Sequence, residues 1–262
     1  MGERLSRSMS AGAPAVPAAG SPRTAAATRA VAAVEAGFRL LARLRRAPAL
    51  HPHGLTCTAG LEVVGAGGEP WGVPWLDTPG RYAATVRLSR AAGLPGRLPD
   101  GLGLAVRVEE AAGPGRPLDL LLTSSGRGRT ARHVPQPRAD ALGGPYSSLL
   151  RYRVGGRHRT LAAFPRRTRP GRVRGDLPGL RAALDTGPLV FDLCAETSGG
   201  AWRAFAVLTV GGALPVEQEK SPGFDIYAHS VPGFRPGSAL EATRRAAYRG
   251  SRAGRHGPGR AH

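Results

Sequence analysis

The chain has 262 residues and a formal net charge of +19, and because Lys220 is its only lysine, arginine supplies almost all of the positive charge. This length allows a substantial buried core within one large β-barrel domain. No stretch approaches the roughly 20 apolar residues of a membrane span, the two cysteines are too few for a disulfide framework, and the few aromatic residues do not interleave with the dispersed arginines as a base-stacking surface requires. We therefore expect a cytoplasmic protein whose main partner is neither a membrane nor a nucleic acid.

The N-terminal part of the sequence divides into a tail and a helix. Residues 1–22 are rich in Ala, Gly, Ser and Pro without any period that could bury a face, which predicts a disordered tail. From Thr24 to Arg46 the apolar residues recur at helical spacing, and Pro48 follows. This pattern predicts an amphipathic helix that packs on the core, with a membrane-surface anchor as the alternative.

Strand-like segments follow, each bounded by Gly, Pro or Asp. Apolar and polar residues alternate in TVRLS and AVRV, which is typical of strands with one buried face. The arginine- and proline-rich stretch 151–178 predicts loop with short helices. The predicted strands are Thr58–Val64, Tyr82–Ser89, Leu102–Val108, Leu118–Thr123, Leu189–Ala195 and Trp202–Val210.

The C-terminal part predicts one more helix, from Ala239 to Tyr248, before a tail at 256–262 that cannot pack. Strands in series, helices at both ends and no βαβ alternation indicate an α+β fold with an antiparallel β-barrel and flanking helices. We expect residues 23–255 to form one domain.

Five motifs in this order resemble the core of haem catalases: HPHG at 51–54, GLEVVG at 60–65, TPGRYAATVRLSRAAGLPG at 78–96, DGLGLAVRV at 100–108 and PLDLLLTS at 117–124. The resemblance covers roughly residues 45–125 and the C-terminal helix. It implies a small catalase-like protein that lacks the additional domains of full-length catalases, with a barrel of catalase type and haem b as the iron cofactor.

The resemblance assigns roles to residues on the peroxide side of the haem. His51 matches the histidine that moves a proton between the two oxygens of bound peroxide, which suits an imidazole because its pKa lies near neutrality. His53 competes for this role, and the spacing to Gly54 favours His51. Ser89 matches the hydroxyl that orients the histidine, and Arg87 matches the arginine that pairs with a haem propionate.

Two positions depart from the family pattern. Where the resemblance predicts an asparagine that polarises peroxide, the sequence has Thr123, whose hydroxyl is shorter and rotates freely. Pro48 stands where an arginine would meet a propionate. Fast disproportionation of peroxide is therefore in question, and peroxidase or hydroperoxide-rearranging chemistry stands beside it.

On the opposite side of the haem, Arg244, Tyr248 and Arg255 in RRAAYRGSRAGR share one face if the helix continues. The spacing is similar to the catalase motif whose tyrosine binds the haem iron. A phenol with a pKa near 10 needs the metal and neighbouring positive charge to stay ionised at neutral pH, and two guanidiniums supply that charge.

The sequence thus predicts a haem-dependent peroxidase or catalase-like oxidoreductase that acts on hydrogen peroxide or organic hydroperoxides. One alternative is a barrel of the same fold without haem chemistry, which binds another ligand or a protein partner. A second alternative is an arginine-driven nucleic-acid binder, whose affinity would depend steeply on salt. The sequence leaves the oligomeric state open and is compatible with a homo-oligomer.

Overall fold

The computed structural model describes residues 53–94, 98–168, 170–215 and 223–237. Eight antiparallel strands form a closed barrel, and three short strands form a separate small sheet. The elements in chain order are β1 (His53–Val63), α1 (Pro74–Asp77), β2 (Gly80–Arg90), β3 (Leu102–Val108), β4 (Leu118–Ser124), β5 (Tyr146–Ser147), β6 (Tyr152–Val154), β7 (Arg157–Arg159), β8 (Leu161–Pro165), α2 (Leu177–Asp185), β9 (Leu189–Glu196), β10 (Trp202–Ala213) and β11 (Phe234–Pro236).

The strand order around the barrel is β1-β10-β9-β8-β5-β4-β3-β2, and β1 pairs with both β2 and β10 to close it. The first four strands form a meander in which each strand pairs with the next. The small sheet has the order β11-β6-β7, so the chain returns to it after leaving β10. Because a closed barrel has no free edges, its backbone hydrogen bonds are satisfied around the whole ring.

The barrel interior holds the main apolar core, and the alternation of each strand decides which side chains enter it. On β2, Val86 and Leu88 are buried and pair with Leu104 and Val106 of β3 across the interior face. The side chains between them, Arg87 among them, therefore point to the outside of the barrel. This alternation places the motif residues of β2 on the outer surface.

The small sheet turns tightly at Gly155, which has a φ of +57° in the β6–β7 hairpin. A Cβ atom at this position would lie 2.4 Å from the Trp71 carbonyl oxygen, so no other residue fits without a shift of the backbone. Trp71 in turn lies under two guanidinium groups, those of Arg159 at 5.0 Å and Arg203 at 3.6 Å from the ring centroid. These cation–π contacts link the hairpin to β10.

The six predicted strands are present, and Leu102–Val108 is reproduced without change. The largest differences are at β1, which begins at His53 instead of Thr58, and at β10, which ends at Ala213 instead of Val210. The interpretation of 151–178 as loop with short helices is wrong, because strands β6, β7 and β8 lie in it. The barrel is confirmed, and the α+β label only in part: in the described ranges the fold is mostly β, with α1, α2 and a 3-10 turn at Ala131–His133 as its helical pieces. The helices predicted at 24–46 and 239–248, and both tails, lie outside the described residues.

No helix in the described part of the chain is long and apolar enough to cross a membrane.

Candidate functional site

The outer face of β1–β4 carries the motif residues that the structure describes. Cross-strand pairing aligns Gly54 with Ser89, Ser89 with Gly103, and Gly103 with Thr123. Directly paired residues in a sheet project to the same face. The four strands therefore carry one row of small side chains on this face, in which Ser89 and Gly103 are buried.

A second row, one step along the strands, consists of Thr56, Arg87, Ala105 and Leu121. The Arg87 side chain is buried, with only 8% of the residue exposed. Its guanidinium lies over the backbone of Gly54, where an added Cβ would come within 2.6 Å of Cζ and Nη1. Gly54 is thus required for Arg87 to lie flat on β1.

Ser89 lies two residues after Arg87 on the same face and is buried. Thr123 lies two strands away, is partly exposed, and also pairs with Ser147 of β5. The next residue, Ser124, points into the barrel instead, where its hydroxyl accepts a hydrogen bond from the Leu102 amide at 2.9 Å and donates to the Gln136 carbonyl at 2.7 Å. Of these two residues, only Thr123 lies on the outer face, in the same row as Ser89.

The motifs in the sequence assign no role to Thr56, although it pairs directly with Arg87. It is almost fully buried, at 1% exposure, and its hydroxyl has no hydrogen-bond partner among the described residues. Buried hydroxyls are normally satisfied, so this one is a candidate ligand contact on the same face. The i, i+2 spacing from Gly54 could have indicated it, because both residues project to the outside of β1.

A third row joins this face to the segment 223–229 through Asp119, a fully buried carboxylate on β4. Arg107 on β3 donates to both of its oxygens, from Nε at 2.8 Å and from Nη2 at 2.7 Å. His229 Nδ1 lies 2.8 Å from the same carboxylate, and the Asp225 amide donates to it at 2.7 Å. Segment 223–229 is therefore fixed to the barrel beside the rows that carry Arg87 and Ser89.

The opposite charges of Asp119 and Arg107 stabilise each other. Burial alone would raise the pKa of Asp119, but the hydrogen bonds from Arg107, His229 and the Asp225 amide outweigh it and hold this pKa below its ordinary value. The hydrogen bond to Asp119 likewise raises the pKa of Arg107. The carboxylate and the guanidinium thus form a permanent ion pair at neutral pH.

Of the residues selected from the sequence, the structure brings together Arg87, Ser89 and Thr123. His51, Arg244, Tyr248 and Arg255 lie outside the described residues, so their roles stay predictions. The backbone of His53 begins β1 and pairs with Arg90. Within the described ranges, no group of three or more His, Cys, Asp or Glu side chains is arranged to hold a metal ion.

Solved structures with a similar fold include three catalases. A fungal catalase matches with a TM-score of 0.54 and 15% identity over 80% of this chain and 59% of its own. Catalase A from Saccharomyces cerevisiae matches with a TM-score of 0.56 and 12% identity, over 79% and 60% of the two chains. A bacterial catalase matches with a TM-score of 0.56 and 12% identity, over 78% and 56%.

These TM-scores show a catalase-like fold, and the chain spans less than two thirds of each of the three catalases. Neither the models of known protein families nor the curated proteins give a match to the sequence.

Proposed function

We propose that this chain is a haem-dependent oxidoreductase of peroxidase or catalase type that acts on hydrogen peroxide or organic hydroperoxides. Two features together carry this proposal. Arg87 and Ser89 were selected from a motif that resembles catalases, and they share one outer face of a barrel whose structural neighbours include catalases.

The described residues fit a haem b on this face. A flat macrocycle needs a surface without large side chains, and the row of Gly54, Ser89, Gly103 and Thr123 offers one. Haem also carries two carboxylates, and the guanidinium of Arg87 beside this row has the planar fork that pairs with a carboxylate. The unpartnered hydroxyl of Thr56 adds a polar contact at the same edge.

Each residue then has a defined task. When bound, the haem iron supplies the redox chemistry that breaks the peroxide O–O bond. His51 takes the proton from one peroxide oxygen and delivers it to the other, and Ser89 holds the imidazole in the orientation for this transfer. Thr123 donates one hydrogen bond toward the peroxide.

On the other side, Tyr248 is the proposed iron ligand, and Arg244 and Arg255 keep its phenolate ionised, since a guanidinium does not lose its proton at physiological pH. Because Thr123 offers one rotating hydroxyl where the family pattern has an amide, peroxidase chemistry and rearrangement of hydroperoxides belong to the proposal together with disproportionation.

The first test is the absorption spectrum of the protein purified from haem-supplemented cells. We expect a Soret band in the wild type, changed in Tyr248→Phe but retained in Tyr82→Phe, whose ring packs on Trp75 at 5.8 Å between centroids. No haem in any of the three proteins would overturn the proposal and favour a barrel of the same fold that binds another ligand or a protein.

A second test separates the two candidate histidines. With haem bound, His51→Gln should lower the rate of reaction with peroxide by about 100- to 10,000-fold, the usual worth of a positioned acid–base group. His53→Gln, two residues away, is the matched control and should react nearly as the wild type. The reverse result would move the role to His53.

A further inference from the structure

A basic groove lies on the small sheet and is lined by none of the residues named above in the rows of Gly54 and of Arg87. It consists of two cavities of about 610 and 570 Å³ that share Arg153, Ser230 and Arg235. Arg116 lines the first cavity and His158 the second. None of these residues belongs to the proposed haem face, so the groove is a separate feature of the molecule.

Strand register brings the positive charges together. Arg235 of β11 pairs with Arg153 of β6, and Arg153 pairs with His158 of β7. The three side chains therefore form one cross-strand row on the exposed face of the sheet, because Val154 and Phe234 are buried on its other face. Like charges directly opposite each other destabilise a sheet, so this row is unfavourable unless an anion offsets it.

Neither cavity is lined by any aspartate or glutamate among the described residues. Elsewhere the described arginines are commonly paired with acids, as in the ion pairs of Arg107 with Asp119 and Arg166 with Asp192. Arg116, Arg153 and Arg235 make no such ion pair with the described part of the chain. The groove thus keeps three guanidiniums available to a ligand.

We propose that the basic groove binds a small molecule through a phosphate or diphosphate group held across Arg153 and Arg235. Guanidinium groups bind phosphate oxygens through two parallel hydrogen bonds. Ser230, which lines both cavities, adds a residue with a hydroxyl donor to the groove. Each cavity has the size of a small-molecule site. The remainder of the ligand lies in the cavity beside Arg116 or in the one beside His158.

The shape and lining of the groove favour a small anion over a nucleic acid. A single-strand binding surface needs successive aromatic rings on which bases stack, and among the described residues Tyr227 is the one Phe, Tyr or Trp that lines either cavity. The arginines also converge on one concave site instead of following an extended track. A compact phosphate group satisfies them all within one groove.

The test is calorimetric titration of the full chain with pyrophosphate and with ADP at physiological salt. We expect the wild type to bind with a Kd well below about 1 mM, and Arg153→Gln/Arg235→Gln to bind about 100-fold more weakly, roughly tenfold for each guanidinium lost. The control Arg129→Gln/Arg172→Gln removes the same charge from exposed positions outside the groove and should bind as the wild type.

The two probes distinguish the source of the phosphate: tighter binding of ADP assigns an organic diphosphate, and tighter binding of pyrophosphate assigns an inorganic one. If the glutamine pair does not fold, Arg153→Lys/Arg235→Lys decides, since it keeps the charge but removes the fork. The proposal would be overturned if the wild type bound neither probe, or if the control lost as much affinity as the glutamine pair. It would also be overturned if, in a parallel titration with DNA, the glutamine pair lost affinity for DNA alone.

Discussion

Arg107 holds the fully buried carboxylate of Asp119 through two hydrogen bonds, from Nε to Oδ1 at 2.8 Å and from Nη2 to Oδ2 at 2.7 Å. The pair links β3 to β4, and through Asp225 and His229 it also fixes the segment that leads to the small sheet. Because the carboxylate has exchanged all its water for these donors, removing either partner leaves an unpaired buried group.

We therefore predict that Asp119→Asn lowers the free energy of unfolding by about 3 kcal/mol, because Arg107 loses its ionic partner in a buried site. The matched control is Asp192→Asn. Its ion pair with Arg166, 2.6 Å apart, leaves 48% of the arginine and 30% of the aspartate side chain exposed, and should contribute less than about 1 kcal/mol. Urea unfolding of both variants measures the difference. Similar losses in the two would show that burial does not set the value of the Asp119 pair.

The depressed pKa of Asp119 also predicts how stability depends on pH. The contribution of its ionised form is complete above the pKa of the unfolded chain, about 3.9, and is lost as the pH falls through the lower pKa of the folded state. The stability difference between the wild type and Asp119→Asn should therefore stay constant from about pH 7 to 5 and shrink below about pH 4.

Unfolding curves of the wild type and of Asp119→Asn, measured at each pH, test this pH dependence. The same measurements in proteins that also carry His229→Gln separate the contribution of the histidine that faces the carboxylate. A difference that grows as the pH falls would contradict the predicted sign.

Gly54 should be required for haem binding through Arg87. In Gly54→Ala the new methyl group would lie 2.6 Å from the Arg87 guanidinium and displace it, which should cost about 1 kcal/mol of stability. Haem affinity should fall roughly tenfold, the worth of one charge-assisted hydrogen bond.

Gly60→Ala is the matched control on the same strand, because nothing lies within 4 Å of its added Cβ. Titration of both apoproteins with haem, followed at the Soret band, compares them. Equal haem affinity in the two variants would remove Arg87 from the proposed site.

The barrel strands could be predicted because their apolar alternation is long and regular, as in the residues Leu102 to Val108. The strands between 146 and 165 could not, since they have two to five residues and arginine occupies strand positions that alternation alone would treat as loop. Arg159 is buried there against Trp71, which only the tertiary structure reveals.

The same limit applies to the site. Arg87 and Ser89 could be placed on one face from their i, i+2 spacing, and Thr56 could be placed on one face with Gly54 in the same way, but the register of β1 against β2 is what sets Thr56 opposite Arg87. The basic groove depends in the same way on the pairing of Arg153 with Arg235, two residues far apart in sequence. Pairing of distant strands is a tertiary property that periodicity does not contain.

Thr123→Asn should increase the disproportionation of peroxide by the haem-loaded protein. An amide carries two N–H donors and reaches further than a hydroxyl, and one more hydrogen bond to the reacting oxygen corresponds to about a tenfold gain in rate. Thr123 is partly exposed on the outer face, so the larger side chain fits there. Oxygen evolution per haem measures the rate.

Ser124→Asn is the control for this change, because its side chain points into the barrel and satisfies the Leu102 amide and the Gln136 carbonyl. It should lose at least about 2 kcal/mol of stability and gain no activity, since an asparagine there is both too large and misdirected. If Thr123→Asn retains haem but evolves oxygen no faster than the wild type, the hydroxyl does not limit disproportionation, and the chemistry of this face is that of a peroxidase or of an enzyme that rearranges hydroperoxides.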